Sequence, residues 1–351
     1  MERIRAERIR VVQWGLGAMG SGMATLIASK PGLELVGAID QRPDYVGRDV
    51  ADVLGLPEQL GVLVTDDPAS ALDGSSVDCV VIATTSWVRD QFADLERILG
   101  AGINCVSIAE EMSCPEAQSP DAAARLDALA RANGVSIVGA GVNPGLAMDL
   151  LVVALTAGCH EVTSIEASRV NDLAPYGPTV MRTQGVGLTP AEFEAGVRDG
   201  SVEGHIGFPE SARLISDALG LGIDRLEQTR EPIISTVRRE TPHLVIEPGM
   251  VAGCRQVAHG FRGDVEVLTL IHPQQVRPEL EGQPTGDYIT IHGTPEIRMQ
   301  ITPEYAGGVA TTGIAVNVIP LIVAASPGLK SMLDLPVPAA LMGPSAYARR
   351  V

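Results

Sequence analysis

A glycine-rich run near the start of the chain has the spacing of a nucleotide-binding turn. It reads Gly15-Leu16-Gly17-Ala18-Met19-Gly20 and fits the pattern G-x-G-x-x-G. The first glycine permits a tight turn, the second lets the backbone approach a pyrophosphate, and the third lets a helix pack closely on a strand. An apolar segment, Ile9–Trp14, precedes the run and a helical segment, Ala18–Ser29, follows it. This setting predicts a nicotinamide dinucleotide site with its phosphates at the helix N-terminus; the alternative is an ordinary glycine turn.

Two residues of opposite charge leave the choice between NAD and NADP open. A second apolar segment, Leu33–Ile39, ends in Asp40, about twenty residues after the glycines, where a dinucleotide fold places an acid. Asp40 would bond the ribose hydroxyls of NAD and repel a 2′-phosphate, whereas Arg42 could pair with that phosphate. We therefore expect NADP or NAD as the cofactor.

Two adjacent carboxylates, Glu110 and Glu111, follow the fifth apolar segment, Ile103–Ala109. In doubly wound sheets, ligands bind at the carboxyl ends of the strands, so these acids would lie beside the nicotinamide. Side chains alternate along a strand, and only one of the two would face the cofactor if the strand geometry continues. A carboxylate there can stabilise an iminium cation and take a proton from an amine. The alternative is a solvated helix N-terminus, where acids are favoured.

The positions of lysine and histidine favour C–N over C–O chemistry. The chain has two lysines, Lys30 at the end of the first helix and Lys330 near the C-terminus, and its first histidine is His160. Reduction of a ketone to an alcohol usually needs a Lys, His or Tyr proton donor near the carbonyl oxygen. The first domain places no such donor beside the ring. Residues of the second domain that could still support alcohol chemistry are His205, His259 and Tyr176.

Further candidate contacts lie in three polar segments. Strand four ends in Thr84-Thr85-Ser86, whose hydroxyls could contact the ribose or nicotinamide, or could cap a loop. Asn143 and Pro144 lie where the first domain ends. A glycine-rich segment from Arg169 to Gly187 is interpreted as a substrate loop, or as a plain connector in which Arg169 and Asp172 form an ion pair. Its candidate substrate contacts are Tyr176, Thr179 and Arg182.

The pattern of apolar segments divides the chain into an α/β and an α+β part. Strand candidates of the first part are Ile9–Trp14, Leu33–Ile39, Val62–Thr65, Val77–Ala83, Ile103–Ala109 and Val135–Gly139. Their continuous apolar character and the helices between them predict a doubly wound parallel sheet, a Rossmann domain, over residues 1–145. Residues 146–310 predict a substrate-binding and dimerisation domain with an open mixed or antiparallel sheet, which begins with a bridging helix at 146–157. Thr189-Pro190, a cap residue followed by proline, predicts the start of another helix. The strand candidates of this domain are Val162–Val170, Val265–Ile271, Tyr288–His292 and Ile297–Ile301. Residues 311–351 would form a C-terminal helix and tail that pack on the first domain.

Bulk properties exclude several classes of partner. The net charge of −17 argues against nucleic acid, whose phosphates attract basic surfaces. No apolar run reaches about 18 residues, so we expect no membrane span. The charged N-terminus lacks the apolar core of a signal peptide, and five cysteines without a C-x-x-C pair suit a reducing cytoplasm. No ligand spacing indicates a metal site.

Four motifs together resemble the 2,4-diaminopentanoate dehydrogenase family, whose relatives include the native amine dehydrogenases. They are Gln13 to Gly20, Ser107 to Met112 (Ser-Ile-Ala-Glu-Glu-Met), Gly141 to Gly145 (Gly-Val-Asn-Pro-Gly) and Arg169 to Asp172 (Arg-Val-Asn-Asp). The family is similar in architecture to dihydrodipicolinate reductase and meso-diaminopimelate dehydrogenase. This chain lacks a lysine or histidine placed beside the nicotinamide, and in this respect it departs from dihydrodipicolinate reductase.

The resemblance implies a homodimer that interconverts an amine with a ketone or aldehyde plus ammonia, using NAD(P). It also implies one catalytic glutamate at the paired acids, for which we favour Glu110 over Glu111. The expected activity is that of an amine dehydrogenase. Alternatives are 2,4-diaminopentanoate dehydrogenase proper, an imine reductase of the dihydrodipicolinate reductase type, an alcohol dehydrogenase, or a non-catalytic sensor of the cofactor.

Overall fold

The chain divides into two structural units in the computed structural model, which describes residues 8–343 and Tyr347. The first unit contains Met1–Gly145 and Gly308–Val351, and the second contains Leu146–Gly307. The chain therefore leaves the first unit once and returns to it. The sequence-based division puts this return after residue 310.

Strands and helices alternate through the first part of the chain, and all elements are numbered in chain order. The strands are β1 (Ile9–Trp14), β2 (Leu33–Ile39), β3 (Val64–Thr65), β4 (Cys79–Ile82), β5 (Asn104–Ser107) and β6 (Ser136–Gly139). The helices are α1 (Ala18–Ser29), α2 (Val50–Leu54), α3 (Pro68–Ala71), α4 (Val88–Gly100) and α5 (Pro120–Ala132). A one-turn 3-10 helix, called here the acidic turn (Glu110–Ser113), follows β5, and another covers Pro115–Ala117. The apolar runs of β3 to β6 extend beyond the hydrogen-bonded residues, so these strands are shorter than predicted.

The second unit is built on longer strands. They are β7 (Glu161–Asp172), β8 (Arg225–Ile234), β9 (Arg239–Glu240), β10 (Val245–Ile246), β11 (Val251–Arg262), β12 (Val265–Gln275), β13 (Gly286–Thr294) and β14 (Ile297–Ile301). Its helices are α6 (Leu150–Thr156), α7 (Pro178–Thr183), α8 (Pro190–Asp199) and α9 (Phe208–Leu219), with a 3-10 turn at Pro278–Glu281. The chain then continues through α10 (Gly307–Val323) to β15 (Gly328–Lys330).

The first unit contains a seven-stranded parallel sheet in the order β15-β6-β5-β4-β1-β2-β3. The strand order reverses between β1 and β4, and in such sheets ligands bind at the carboxyl ends on either side of this switch. Strand β4 and strand β5 are buried along almost their whole length, as a sheet covered on both faces requires. The predicted doubly wound fold is confirmed.

The second unit contains a six-stranded mixed sheet in the order β14-β13-β7-β12-β11-β8. Only β7 and β12 pair in parallel among these strands, and the other neighbours are antiparallel. Helices α6 and α9 contact strands β13 and β12, respectively. One face of the sheet is buried. Its apolar residues are Ile165, Ala167, Leu268, Leu270, Ile289 and Ile291.

Two helix starts show how capping groups set the ends of these elements. Helix α8 begins as predicted, because Thr189 and Glu192 form a capping box ahead of Pro190. Helix α6 was predicted to begin at residue 146 but begins at Leu150. The Asp149 carboxylate accepts the N–H of Leu150 at 2.6 Å and so caps the helix there.

Strands β8 and β11 are not among the sequence-based strand candidates. Strand β8 lies at the edge of its sheet and carries charged residues at four of its ten positions, so it lacks an apolar alternation. Strand β11 buries polar Gln256 and contains two glycines, which obscure the alternation of apolar and polar residues expected of a strand.

Among the described residues, no helix is long and apolar enough to cross a membrane. In the same part of the chain, no three His, Cys, Asp or Glu side chains cluster as metal ligands.

Candidate functional site

The glycine run forms a turn in which its three glycines have different surroundings. Gly15 has a φ of +88°, and a Cβ there would lie 2.6 Å from the carbonyl oxygen of Ala83. A Cβ on Gly20 would collide with the carbonyl oxygen of Gly15, so the first and third glycines are required by the fold. A Cβ on Gly17 would meet no protein atom within 4 Å. The second glycine therefore faces open space, which fits the close approach of a pyrophosphate.

The start of α1 is suited to an anion. Gly17 is the N-cap, no side chain caps the helix, and its first turn, which contains Ala18 and Met19, carries no acid. The N-terminal N–H groups of a helix and its dipole bind phosphate where no side chain occupies them. Both observations fit a bound dinucleotide, whose phosphates Leu16 to Gly20 would hold.

Asp40 and Arg42 form one ion-paired group beside this turn. The Asp40 carboxylate accepts the N–H of Leu16 at 2.7 Å and lies 3.0 Å from Nε of Arg42. Arg42 also bonds the carbonyl of Leu16 and lies 3.8 Å above the ring of Tyr45. Burial raises the pKa of Asp40, but hydrogen bonds from Arg42 and the backbone outweigh burial and hold this pKa below its usual value. Asp40 is thus a charged acceptor that Arg42 partly neutralises.

The loop after β4 lies against the glycine turn. A Cβ on Gly15 would lie 3.2 Å from Cγ2 of Thr84, so this side chain is a near neighbour of the turn. Thr85 accepts the N–H of Trp87 at 3.3 Å, and the Ser86 carbonyl accepts the N–H of Glu111. The structure therefore brings the glycine turn, the loop at 84–86 and the acidic turn to one edge of the sheet.

The two glutamates of the acidic turn differ in their surroundings. Glu111 is 3% exposed, and its carboxylate accepts the N–H of Val88 at 2.7 Å and the hydroxyl of Ser119. It holds the N-terminus of α4, where a negative charge is stabilising. Glu110 is half-buried. The two acids begin a 3-10 helix, so the condition of a continued strand, under which only one of them would face the cofactor, is not met.

Both lysines lie away from the acidic turn. Lys30 follows α1 and donates to the carbonyl of Leu341 at 3.2 Å. Lys330 lies in β15, the edge strand, and donates to Ser326 at 3.1 Å. Neither lysine therefore supplies a proton donor at the carboxyl ends of β4 and β5.

The predicted substrate residues fall in both units. Asn143 and Pro144 follow β6 in the first unit, and Pro144 is buried. In the second unit, Tyr176 packs against the backbone of Gly307, and burial raises the pKa of this tyrosine. The remaining two candidates, Thr179 and Arg182, are exposed on α7.

Arg169 is a structural residue rather than a free cation. Its guanidinium is buried and pairs with Asp287, and it also bonds the carbonyl of Tyr305. The alternative that it pairs with Asp172 is wrong. Asp172 instead accepts the N–H of Ala174 at 2.8 Å and that of Arg277 at 2.7 Å, which fixes the start of the segment after β7.

The structure contains a buried polar cluster beside Arg169 that the predicted site did not include. Nε2 of His272 lies 3.0 Å from Oδ1 of Asn171, and the ring of His205 lies 4.6 Å from that of His272. Burial, and then the charge of Arg169, lowers the pKa of His205 to about 3. His272 shares these causes, and its pKa lies well below the usual value. The Arg-Val-Asn-Asp motif points to Asn171, but His272, which lies 101 residues later, carries no local signal of this contact.

The depressed pKa of His272 predicts an acid-sensitive fold. Below about pH 6.5 the unfolded chain binds a proton at this ring more readily than the folded protein does, so unfolding becomes more favourable as pH falls. Between pH 7 and pH 5 the free energy of unfolding should therefore fall further in wild type than in a variant without this ring. Denaturant titrations of wild type and His272→Gln at both pH values measure the effect. An equal loss of the free energy of unfolding in the two proteins would contradict a role for His272 in this acid sensitivity.

Comparison with known proteins gives consistent matches over nearly the whole chain. The family "2,4-diaminopentanoate dehydrogenase C-terminal domain" matches residues 146–350, and "Dihydrodipicolinate reductase, N-terminus" matches residues 9–106. The chain is 43% identical over 342 residues to 2,4-diaminopentanoate dehydrogenase of Acetoanaerobium sticklandii, with 96% of each chain covered.

Two amine dehydrogenases are also similar. The enzyme of Streptomyces virginiae is 29% identical, with 94% of this chain and 96% of the relative covered. The solved structure of the Mycobacterium smegmatis enzyme matches with a TM-score of 0.84 at 29% identity, covering 96% of this chain and 98% of that one. These matches confirm the resemblance drawn from the four sequence motifs. The chain belongs to the 2,4-diaminopentanoate dehydrogenase family.

Proposed function

We propose that this chain is an NAD(P)-dependent amine dehydrogenase. In the oxidative direction an amine, water and NAD(P)⁺ would give a ketone or aldehyde, ammonium and NAD(P)H; reductive amination is the reverse. The observation that carries the proposal is the acidic turn, which begins with Glu110 and lies at the same sheet edge as the glycine turn. Neither lysine lies nearby, which supports amine over alcohol chemistry.

Glu110 is the proposed catalytic residue. When bound, the nicotinamide ring supplies or accepts the hydride. In the aminating direction Glu110 takes a proton from ammonium, which frees the nitrogen lone pair to add to the carbonyl carbon. Protonated Glu110 then returns this proton to the hydroxyl group of the adduct, which leaves as water, and the regenerated carboxylate stabilises the positively charged iminium group until hydride reaches its carbon. Glu111 has a structural role instead, because its buried carboxylate caps α4 through the N–H of Val88 and also accepts the hydroxyl of Ser119.

Residues of the polar segments after the strands are the proposed binding residues. Thr84, Thr85 and Ser86 would contact the ribose or nicotinamide. The substrate contacts remain the predicted set of Asn143, Pro144, Tyr176, Thr179 and Arg182. The ion pair of Arg169 with Asp287 removes one cation that a substrate carboxylate could have used.

Arg42 is expected to set the preference for NADP. Replacing it with leucine removes the guanidinium that could pair with a 2′-phosphate and frees Asp40 to bond ribose hydroxyls. The Kd of NADPH should rise about tenfold or more, while that of NADH stays equal or falls. Fluorescence titration measures both constants, with Arg48→Leu as a control on the same surface. Equal changes for the two nucleotides would show that Arg42 does not discriminate between them.

We also propose a homodimer that acts in the cytoplasm. The second sheet has one face that contacts helices α6 and α9, while Val170, Ile271 and Tyr288 on its other face are only half-buried. A second copy would cover such a face. None of the five cysteines, all of which lie in the described part of the chain, forms a disulfide, which supports a reducing compartment. Sedimentation velocity at micromolar protein should give the mass of a dimer; a monomer there would overturn the oligomeric proposal.

A panel of amines tests the function and its substrate class. The first compound to try is 2,4-diaminopentanoate, because it is the compound named for the relative from Acetoanaerobium sticklandii. Simple cyclic and acyclic amines complete the panel. We expect NAD⁺ or NADP⁺ reduction with at least one amine and with no corresponding alcohol. Turnover of 2,4-diaminopentanoate alone would assign the narrower activity. Reduction of the cofactor by alcohols, or a cyclic imine reduced without ammonia, would replace the proposal, and cofactor binding without any turnover would favour a sensor.

A further inference from the structure

A buried chain of hydrogen bonds connects the loop after β4 to the acidic turn. Nε2 of Gln91 donates to Oγ1 of Thr84 at 3.1 Å, and Oε1 of Gln91 accepts the hydroxyl of Ser107 at 2.6 Å. The Ser107 oxygen in turn accepts the N–H of Ala109 at 3.1 Å. Ala109 is the N-cap of the acidic turn, and Glu110 follows it directly. One side chain of α4 thus reaches the ends of two neighbouring parallel strands.

Gln91 occupies a position that packing alone would give to an apolar residue. The buried residues of α4 follow a helical period, and the others are Val88, Leu95, Ile98 and Leu99. Gln91 lies in the middle of this stripe and is fully buried. Burying an amide without partners is costly, so a glutamine here is tolerated because both of its ends are bonded. Its polarity therefore serves the chain of hydrogen bonds rather than the packing of α4.

The acidic turn is fixed to α4 from both sides of Glu110. On the N-terminal side, Gln91 acts through Ser107 on Ala109. On the C-terminal side, the Glu111 carboxylate accepts the N–H of Val88, the first residue of α4. Glu110 lies between these two attachments. Helix α4 is thus the common support that sets where the Glu110 carboxylate lies relative to the loop beside the glycine turn.

We propose that Gln91 is a positioning residue for the reaction, which holds the Glu110 turn at a fixed place relative to the loop at Thr84. The inference rests on the proposed function. Gln91 acts only through Ser107 and Ala109. A displacement of about 1 Å in a reacting group can lower a rate by as much as a hundredfold, so this attachment affects turnover more than cofactor affinity.

The test compares Gln91→Met and Ser107→Ala with Leu95→Met as the matched control. Methionine keeps the length of the side chain and suits the apolar stripe, so the fold is preserved, but it breaks both hydrogen bonds. Leu95 lies on the same stripe, is equally buried, and takes no part in the chain of hydrogen bonds. Two readouts are used: hydrogen exchange of the amides at 107–113 in the free protein, and steady-state amination with its ammonia KM, kcat and cofactor Kd.

The expected result has a pattern that a purely structural role would not give. Gln91→Met and Ser107→Ala should each speed exchange of the acidic turn by about tenfold and lower kcat by about tenfold to a hundredfold. The ammonia KM should rise, with cofactor Kd unchanged, and Leu95→Met should behave as wild type. Because the two residues act as one chain, the double variant should lose no more than the worse single variant.

Unchanged exchange and unchanged kcat in Gln91→Met would overturn the inference, as would a loss that Ser107→Ala does not share. A loss confined to cofactor Kd would assign Gln91 to the nucleotide site instead. The proposed function fails separately, if wild type shows no ammonia-dependent turnover. In that case the exchange experiment still decides whether Gln91 holds the acidic turn.

Discussion

Replacing Glu110 with glutamine should lower kcat for amination by about a hundredfold to ten-thousandfold, the range expected when a general base is removed. Glutamine preserves the size of the side chain but can neither take a proton from ammonium nor balance the charge of an iminium group. The binding of NAD(P)H should be unchanged, because Glu110 lies outside the glycine turn and is not part of its anion site. Single-turnover kinetics and fluorescence titration separate the two effects.

Glu111→Gln is the matched control for this experiment. Glu111 is buried and holds the N–H of Val88 and the hydroxyl of Ser119, so its loss should lower the free energy of unfolding by about 1–3 kcal/mol. Because the side-chain carbonyl of glutamine can still accept the N–H of Val88, this attachment of the acidic turn is kept, and kcat, measured well below the unfolding temperature, should stay within a few-fold of wild type. The reverse pattern, a silent Glu110→Gln and an inactive Glu111→Gln, would move the catalytic role to Glu111. Wild-type turnover in both variants would refute carboxylate catalysis at this turn.

Gly17→Ala should weaken the binding of the cofactor, whereas Gly20→Ala should weaken the fold. A Cβ on Gly17 meets no protein atom within 4 Å, so Gly17→Ala should fold normally but obstruct the pyrophosphate. We expect its Kd for NAD(P)H to rise about tenfold or more, with little change in the free energy of unfolding. A Cβ on Gly20 would collide with the backbone of Gly15, so Gly20→Ala should destabilise the first unit.

Thermal unfolding and nucleotide titration of both variants distinguish these outcomes. Unchanged affinity in a folded Gly17→Ala protein would mean that the dinucleotide does not approach the second glycine. A stable Gly20→Ala protein would show that the turn can relax where its geometry indicates that it cannot.

The parallel sheet was largely predictable because its buried strands are continuous apolar runs. Strands β1 and β2 and helix α1 have the predicted bounds, and each carries a local signal: an apolar run, a glycine turn or a terminal acid. The strands of the second unit were harder to predict from the sequence. Strand β8 is a charged edge strand, and the parallel pairing of β7 with β12 joins residues about a hundred positions apart, for which no local pattern exists.

The candidate site shows the same division between local and long-range information. The paired acids were recognised from their place after an apolar segment, but their unequal roles were not. Glu111 was found to be a cap only because Val88 and Ser119, which lie on other elements, contact it. Likewise, the sequence offered Asp40 and Arg42 as competing indications of NAD or NADP, whereas the structure pairs them with each other.

The dependence of NAD(P)H oxidation on ammonium is the most direct test of the proposed chemistry. Initial rates would be measured with purified protein and a carbonyl acceptor, either cyclohexanone or the carbonyl product of the best amine in the panel. Each acceptor would be assayed with and without ammonium at constant ionic strength and pH. We predict oxidation only when ammonium is present, with one amine formed for each NAD(P)H consumed. Equal rates without ammonium, with an alcohol as product, would contradict the assignment of this chain as an amine dehydrogenase.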